Sequence, residues 1–268
     1  MQPSPKRRTS LQIQIAAVRA LFWREVHTRF GAYNLRLGYL WVLLAPGMQV
    51  LFFLILFSTI RIKVVPYMDA GLFLVSGILP WMMFSSAASR AMGAVEANKG
   101  LFNYRPVMPI DSIIARTTLE ALLSFNVFMF FLFFLWWFGT TISIEHVPLM
   151  VLAWLLLWVF SIGFALIMMV IGHWSAEVGR FIMIFIRILY FASGIMYSLH
   201  VLPPEALKYV LWNPIPHVIE HIRHSVAPAY PVHHVSLEYF LQALIVVLFL
   251  GLLLYRGNER SMMTSKSR

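Results

Sequence analysis

The chain has 268 residues, of which 60% are hydrophobic and 12% are charged, and its mean hydropathy is +0.77. Because soluble domains carry about 25% charged residues, this composition favours a membrane protein with several spans. There is no cysteine, which excludes disulfides, thiolate metal sites and a cysteine nucleophile. The net charge is +10, and its meaning depends on where the basic residues lie along the chain.

Residues 11–30 are predicted to form an amphipathic helix. Apolar residues recur there at spacings of three and four, namely Leu11, Ile15, Val18, Phe22 and Val26. Tryptophan and arginine suit the headgroup layer, so we expect this helix to lie on the cytoplasmic membrane surface. The residues expected at the interface are Trp23, Arg24, Arg29 and Arg36. Two interpretations stay open: a basic anchor that only fixes topology, or part of a docking surface for a partner.

Six stretches are apolar enough to cross a bilayer, whose core of about 30 Å needs roughly 20 helical residues. With approximate ends, they are residues 38–60, 71–94, 113–138, 148–171, 181–199 and 237–255. These spans take up half of the chain or more. The predicted fold is therefore an all-α integral membrane protein, with a single transmembrane domain over residues 1–268.

Small residues recur every four positions in the second predicted span. Ser85, Ser89 and Gly93 form one such line, and Ala87 and Ala91 form another. Small side chains let helices approach closely. We therefore expect helix packing or a subunit contact along this span.

Lysine and arginine are strongly enriched in the segments that share a side with the N-terminus. Because such residues are retained mainly in the cytoplasm, both termini are predicted to be cytoplasmic. The basic excess is thus explained by topology, and no nucleic acid partner is expected.

The cytoplasmic loop after the second span is predicted to contain a short helix within residues 96–105. Pro106 and Pro109 end it, because proline lacks the amide hydrogen and disfavours helix in the residue before it. The loop is either a connector or a surface that contacts a cytoplasmic protein. The candidate contact residues are Glu96, Asn98, Lys99, Leu101, Phe102, Asn103, Tyr104 and Arg105.

Arg187 is a strong charge inside the fifth predicted span, about 10 Å beyond Arg180 at 1.5 Å per residue. A charge at this depth either extends back to the cytoplasmic surface or faces an anionic substrate. Both interpretations stay open.

Residues 198–233 form the longest segment on the outer side, and two short amphipathic helices are predicted within it. Pro203 and Pro204 open the first helix. Residues 213–216 are interpreted as a turn, with Pro216 opening the second helix. Two such helices after a span predict a hairpin that enters part of the outer half of the membrane.

The second of these helices contains an H-x-x-E-H pattern, formed by His217, Glu220 and His221, which is typical of inverted zinc peptidases. With His224, these residues are expected to form a polar face. The spacing suits zinc, but its setting between proline turns at a membrane edge does not suit a metal scaffold. Three alternatives stay open: a solvated polar face, a face lining a transport pathway, and a zinc site. We expect no metal to bind here.

The chain has no Gly-Lys dipeptide and therefore no Gly-x-x-x-x-Gly-Lys-Ser/Thr loop to cradle nucleotide phosphates. If ATP drives this protein, a separate subunit must bind it.

Four stretches are distinctive together: RLGYLWVLLAPGMQV (36–50), SGILPWMMFSSA (76–87), NKGLFNYRPVMPIDSIIAR (98–116) and SGIMYSLHVLPPEALKYVLWNPIPHVIEHIR (193–223). Over nearly its full length the chain resembles the membrane permease subunits of ABC exporters for bacterial surface polysaccharides, most of all the capsular branch. The fourth stretch is the most specific. The resemblance makes residues 217–224 part of the periplasmic re-entrant helices rather than a metal site.

The resemblance implies a homodimeric permease of the bacterial inner membrane, with no cofactor of its own and two copies of a separate cytoplasmic ATPase that bind ATP and Mg. Residues 96–105 then correspond to the coupling helix that sits in the ATPase. The cargo is a lipid-linked polysaccharide, which periplasmic co-polymerase-like and outer-membrane proteins carry onward. The residues predicted along its pathway are Arg187, Tyr190, Tyr197, Glu220 and Arg223.

Two rival functions are kept. One is a permease of the same class that exports O-antigen, a drug or a lipid. The other is a membrane zinc peptidase that uses His217, Glu220 and His221.

Overall fold

The computed structural model describes residues 9–31, 35–60, 67–101, 107–143 and 145–264. Their regular structure is helical, as the sequence predicts. The α-helices are α1 (Ser10–Gly31), α2 (Leu35–Ile60), α3 (Ala70–Met92), α4 (Ala94–Asn98), α5 (Pro109–Trp137), α6 (Val147–Trp174), α7 (Ala176–Phe191), α8 (Pro204–Val210), α9 (Pro214–Val226) and α10 (Leu237–Thr264). Short 3-10 turns follow α4 at Lys99–Leu101 and precede α8 at Leu199–Val201.

Among the described residues, four helices are long and apolar enough to cross a membrane, namely α3, α5, α6 and α10. The other two predicted spans are occupied by α2 and α7. The apolar part of α2 that the structure describes is Trp41–Phe57, and α7 has only 16 residues. The helical nature of all six regions is thus confirmed, whereas the count of six spans stays a prediction.

The fifth predicted span is wrong in its second half, because α7 ends at Phe191 rather than near residue 199. At 1.5 Å per residue, α7 is about 24 Å long, less than the bilayer core of about 30 Å. Beyond it the chain turns, with Gly194 in the left-handed region at φ +65°. The carbonyl groups of Gly194 and Ile195 accept hydrogen bonds from Arg223, a distant residue that the local pattern could not reveal.

Helix α3 is the centre of the bundle and is buried along most of its length, in contact with α2, α5, α6, α7 and α9. Asp69 caps its first turn by accepting hydrogen bonds from the amides of Gly71 and Leu72. The prediction of close packing is confirmed for Ala87 and Ala91, which are buried. The line through Ser85 and Ser89 is more exposed and faces a cleft, as described below.

Helices α6 and α10 cross at a pair of glycines. A Cβ on Gly163 would lie 2.7 Å from the Cα of Leu248, and a Cβ on Gly251 would collide with the Gly163 carbonyl. The two backbones therefore approach each other more closely than any larger residue allows. This crossing fixes α10 against the central helices.

The N-terminal helix α1 forms as predicted, but a different face of it is packed. Ala17 and Leu21 are buried, whereas Leu11 and Ile15, from the predicted stripe, are 66% and 57% exposed. The rotation follows from polar contacts with α5. These contacts join Gln14 to Asp111, Glu25 to Arg116, and Arg29 to Glu120.

Replacing Gly251 with valine should destabilise the protein by about 1–3 kcal/mol or more, because the added side chain forces α6 and α10 apart. Replacing Gly257, also on α10, with alanine is the matched control, since its Cβ would meet no atom within 4 Å. Thermal unfolding of detergent-purified protein measures both effects. Equal unfolding temperatures for the two variants would contradict the close crossing.

Candidate functional site

A polar cleft of about 470 Å³ lies between α2, α3 and α7. Two of the residues predicted along the substrate pathway, Arg187 and Tyr190, line it. Polar groups from the other two helices line it as well: Gln49 from α2, and Ser85, Ser86 and Ser89 from α3. The serine line that was predicted to pack helices therefore supplies hydroxyl groups to the cleft.

Tyr190 is held in place at the base of this cleft. Gln49 Nε2 donates a hydrogen bond to the Tyr190 hydroxyl at 3.2 Å, which joins α2 to α7. The hydroxyl also lies 3.4 Å from Met196 Sδ. The ring of Trp81 meets the Tyr190 ring edge to face, with centroids 5.7 Å apart. Aromatic surfaces and a fixed hydroxyl are thus presented together on one wall.

Arg187 is exposed in the single chain and faces this cleft. Within the part of the chain that the structure describes, no hydrogen bond or ion pair reaches its guanidinium group. A guanidinium with five free donors beside serine hydroxyls suits an anion such as a carboxylate or phosphate, which its planar fork can bind through two parallel hydrogen bonds. The cleft can therefore bind an anionic group within the apolar bundle.

Glu220 and Arg223, also predicted along the pathway, lie elsewhere and are almost fully buried, at 1% and 0% exposure. Arg223 Nη1 donates to Glu220 Oε1 at 2.7 Å and to the Gly194 carbonyl at 2.8 Å. Arg223 Nη2 donates to the Ile195 carbonyl at 3.2 Å. The two side chains bind each other and the end of α7 instead of lining the cleft.

The surroundings of Arg223 are shaped to hold its guanidinium. Its carbon Cζ lies 3.5 Å from the centroid of the Phe73 ring, a cation–π contact. A Cβ on Gly77 would lie only 2.7 Å from Arg223 Nη2, so glycine leaves the space that the arginine fills. The hydroxyl of Tyr230 donates to Glu220 Oε1 at 3.2 Å. This network joins α9 to α3 and to the turn after α7.

Tyr197 lies in that turn and is half-buried. Of the five residues predicted along the pathway, the structure thus brings Arg187 and Tyr190 together. It separates both from the Glu220–Arg223 pair.

The outer segment contains both predicted helices, but the second begins earlier than predicted. Helix α9 starts at Pro214, where Asn213 caps it by accepting from the Ile215 amide at 3.1 Å. The predicted turn over residues 213–216 is therefore wrong, because proline fits the first turn of a helix when the residue before it is a good cap. Asn213 also donates to Ser193 Oγ at 2.8 Å, which ties this start to the end of α7.

Of the three alternatives for the polar face of α9, a solvated face does not fit, since His217 is buried like Glu220. Its Nδ1 accepts a hydrogen bond from the Ser236 amide at 2.9 Å, so Nε2 carries the proton and donates to the Leu211 carbonyl at 3.0 Å. Burial lowers the pKa of His217, which keeps the ring neutral.

The other two histidines of α9 also donate to carbonyl groups. His221 donates to the carbonyl of His217, and His224 donates to that of Tyr230. Both ring nitrogens of His217 bind backbone groups, so neither is free to bind zinc. The H-x-x-E-H pattern here joins α9 to the Leu211 carbonyl and the Ser236 amide. Among the described residues, no group of three or more acidic, histidine or cysteine side chains is arranged to hold a metal.

The predicted coupling segment is helical, but it begins at Ala94 and continues into the 3-10 turn Lys99–Leu101. Glu96 is exposed and pairs with Lys99 at 2.8 Å, whereas Asn98 is buried. Leu101 is half-buried. The remaining candidate contact residues, Phe102, Asn103, Tyr104 and Arg105, lie outside the described residues.

The predicted interfacial residues of α1 have roles that the pattern alone did not show. Arg24 donates to Asn98 Oδ1 at 3.0 Å and to the Ala97 carbonyl at 3.4 Å, so α1 holds the end of α4. Arg29 pairs with Glu120, and Trp23 is 53% exposed. The side chain of Arg36 lies outside the described residues. The signal for these contacts in the sequence is the set of acidic and amide residues on α4 and α5. Because their partners on α1 are distant in the chain, the local pattern does not show which residues pair.

The described residues thus form a bundle of apolar helices with a cleft that carries polar groups, and α1 holds the short helix α4. Residues 16–227 match the family of ABC-2 type transporters, and the chain belongs to this family. It is accordingly a multi-pass transmembrane subunit of an ABC transporter and not an enzyme.

Its relatives include exporters of surface polysaccharides. The chain is 43% identical to the polysialic acid transport protein KpsM of Escherichia coli, over 96% of this chain and 99% of KpsM. It is 30% identical to the capsule polysaccharide export inner-membrane protein CtrC of Neisseria meningitidis, over 91% of each chain. It is 28% identical to the capsule polysaccharide export inner-membrane protein BexB of Haemophilus influenzae, over 94% of each chain.

Replacing Arg223 with methionine should destabilise the protein by about 3–5 kcal/mol, because it leaves the Glu220 carboxylate buried without its cation. Adding Glu220→Gln to Arg223→Met should recover part of this loss, since the unpaired charge is then removed as well. Thermal unfolding of the purified single and double variants tests this. A double variant less stable than Arg223→Met would show that the pair is not the reason for the loss.

Replacing Arg24 with glutamine should loosen α4, because the segment loses two donors from α1. For partly exposed bonds worth about 1 kcal/mol in total, amide hydrogen exchange over residues 94–98 should become about fivefold faster. Arg19→Gln is the matched control, since Arg19 is an exposed arginine of the same helix. Unchanged exchange in Arg24→Gln, or an equal change in Arg19→Gln, would contradict the link between α1 and α4.

Proposed function

We propose that this chain is the permease subunit of an ATP-driven exporter that moves lipid-linked capsular polysaccharide across a bacterial inner membrane. The observation that carries the proposal is its similarity, over nearly the whole length, to KpsM, CtrC and BexB, which transport polysialic acid or capsule polysaccharide. The polar cleft between α2, α3 and α7 supplies a place for a polar polymer within an apolar bundle.

The proposed topology has six spans with both termini in the cytoplasm. Helices lie in all six predicted regions, and lysine and arginine concentrate on the side of the N-terminus, which supports this orientation. Helices α8 and α9 then lie on the periplasmic side as a re-entrant hairpin. The polar groups of α9 bind one another and the turn after α7, which supports the entry of this helix into the outer half of the membrane.

The functional permease is proposed to be a homodimer. The cleft is open on the single chain, and α2 and α7 flank it with exposed apolar side chains such as Phe52, Ile55, Phe185 and Ile188. A second copy packed against these helices would enclose a pathway lined by two sets of polar groups. Two Arg187 guanidinium groups would then face one polymer.

The partner on the cytoplasmic side is proposed to be an ATPase, present in two copies, that binds ATP and Mg. The segment from Glu96 to Leu101, with the adjoining residues 102–105, is proposed to sit in this subunit. The contacts of Arg24 with α4 support the proposal, because they would carry a movement of this segment to α1. Periplasmic co-polymerase-like and outer-membrane proteins are proposed to receive the polymer.

Deleting the gene in its host tests the function directly. We expect the surface capsule to disappear and the polymer to accumulate inside the cell, while lipopolysaccharide keeps its O-antigen. Expression of the intact chain should restore the capsule. Loss of O-antigen with a normal capsule would instead favour the O-antigen exporter.

Replacing Arg187 with leucine should lower capsule export about tenfold, which corresponds to losing about 1.4 kcal/mol of interaction with an anionic polymer. Arg187→Lys should export at an intermediate rate, because lysine keeps the charge but lacks the planar fork. Arg180→Leu is the matched control, since it removes the same charge from an exposed position of the same helix that does not line the cleft.

Surface capsule is measured in cells that contain equal amounts of each variant in the membrane. Normal capsule in Arg187→Leu would show that the arginine only extends to the cytoplasmic surface.

A further inference from the structure

A second cleft, of about 270 Å³, lies on the other side of α2, where α1, α2, α3 and α5 meet. It shares Met82 and Ser86 of α3 with the polar cleft, so α2 separates the two. The export pathway proposed above does not use this second cleft, which is called the α1–α5 cleft below.

The charged end of the α1–α5 cleft carries more positive than negative charge. Its charged lining residues are Arg29, Arg90 and Glu120. Both arginines bind the same carboxylate oxygen, Glu120 Oε1, with Arg90 Nε at 2.7 Å. The side chain of Glu120 is 5% exposed, whereas those of Arg29 and Arg90 are 23% and 42% exposed. One carboxylate therefore pairs with two guanidinium groups, and both of these are exposed enough to bind a further ligand.

The terminal nitrogens of Arg90 are the free donors. Among the described residues, only its Nε takes part in an ion pair, and its two terminal nitrogens have no partner. A guanidinium fork of this kind binds a phosphate through two parallel hydrogen bonds. The unbalanced positive charge makes an anion a better ligand than a neutral group.

The α1–α5 cleft changes from polar to apolar along both of its long walls. On α3 the lining runs from Arg90 through Ser86 to Leu79, a distance of about 16 Å at 1.5 Å per residue. On α5 it runs from Glu120 through Ser124 to Val127. A ligand that follows these walls has an anionic group at one end, a short polar section and an apolar chain.

We propose that the α1–α5 cleft binds the phosphate head group of an acidic membrane lipid, with an acyl chain along Leu79 and Val127. The phosphate lies at the open side of Arg29 and Arg90, and Ser86 and Ser124 bind the glycerol or ester oxygens. A choline head group binds less well, because it brings a cation to a site that already has an excess of positive charge. The inference does not depend on which cargo is exported.

Ala45 allows a sharp test, because it lines the same cleft from α2 and is exposed. Ala45→Glu supplies the missing negative charge, and Ala45→Gln adds a side chain of the same size without charge. Arg90→Gln removes the free fork. None of these variants changes the Glu220–Arg223 network or the lining of the cleft that contains Arg187.

The measurement is native mass spectrometry of the full chain, purified and delipidated in detergent, with an equimolar mixture of phosphatidylglycerol and phosphatidylcholine of matched acyl chains. We expect the unaltered chain and Ala45→Gln to retain one phosphatidylglycerol in about tenfold preference, equivalent to about 1.4 kcal/mol. Ala45→Glu and Arg90→Gln should lose this preference. Thermal unfolding of each variant confirms that the protein is folded.

Two outcomes would overturn the proposal. One is an equal preference in Ala45→Glu and Ala45→Gln, or none in the unaltered chain, which would show that the charges do not select the lipid. The other is complete displacement of phosphatidylglycerol by millimolar inorganic phosphate, which would show that the apolar walls add nothing to binding. Because no transport is measured, failure here and failure of the export proposal are distinguishable.

Discussion

The packing of α9 against α3 and the turn after α7 depends on the burial of one guanidinium group, that of Arg223. A charge removed from water costs several kcal/mol unless it is paired and hydrogen-bonded. Arg223 therefore requires Glu220, the carbonyl groups after α7 and the face of Phe73. These partners belong to three separate parts of the chain. Consequently α7 must end at Phe191, so that the carbonyls of the turn after it are free to bind Arg223. Helix α3 must carry glycine at position 77, and α9 must lie against both α3 and this turn.

Three arginine sites in the described part of the chain differ in how fully their charge is matched. Arg223 has four partners and no exposure, so it holds the structure together. Arg29 and Arg90 share one carboxylate and are partly open. Arg187 is exposed beside hydroxyl groups, without an ion pair among the described residues. In a chain with few acidic residues, a guanidinium without an acidic partner near or within the membrane is expensive.

The sequence predicts the helices well because hydrophobic runs and proline positions act locally. It predicts faces and ends less well, because these depend on distant partners. The packed face of α1 is rotated toward Asp111, Arg116 and Glu120, which lie about a hundred residues away. The polar face of α9 is buried because the Ser236 amide and the Leu211 carbonyl satisfy His217. Arg187 was singled out as a charge within a span. The serines of α3 were interpreted as packing residues and Gln49 was missed, because the local pattern does not show which groups line a cleft.

The two clefts share part of their lining. Both use Met82 and Ser86 of α3, and α2 contributes Ala45 to one and Gln49 to the other. Helix α2 contacts α3 and meets α7 through the bond from Gln49 to Tyr190. Its tight approach to α5 is the contact of Gly47 with the Phe131 ring. A shift of the Met82 or Ser86 side chain therefore alters the lining of both clefts.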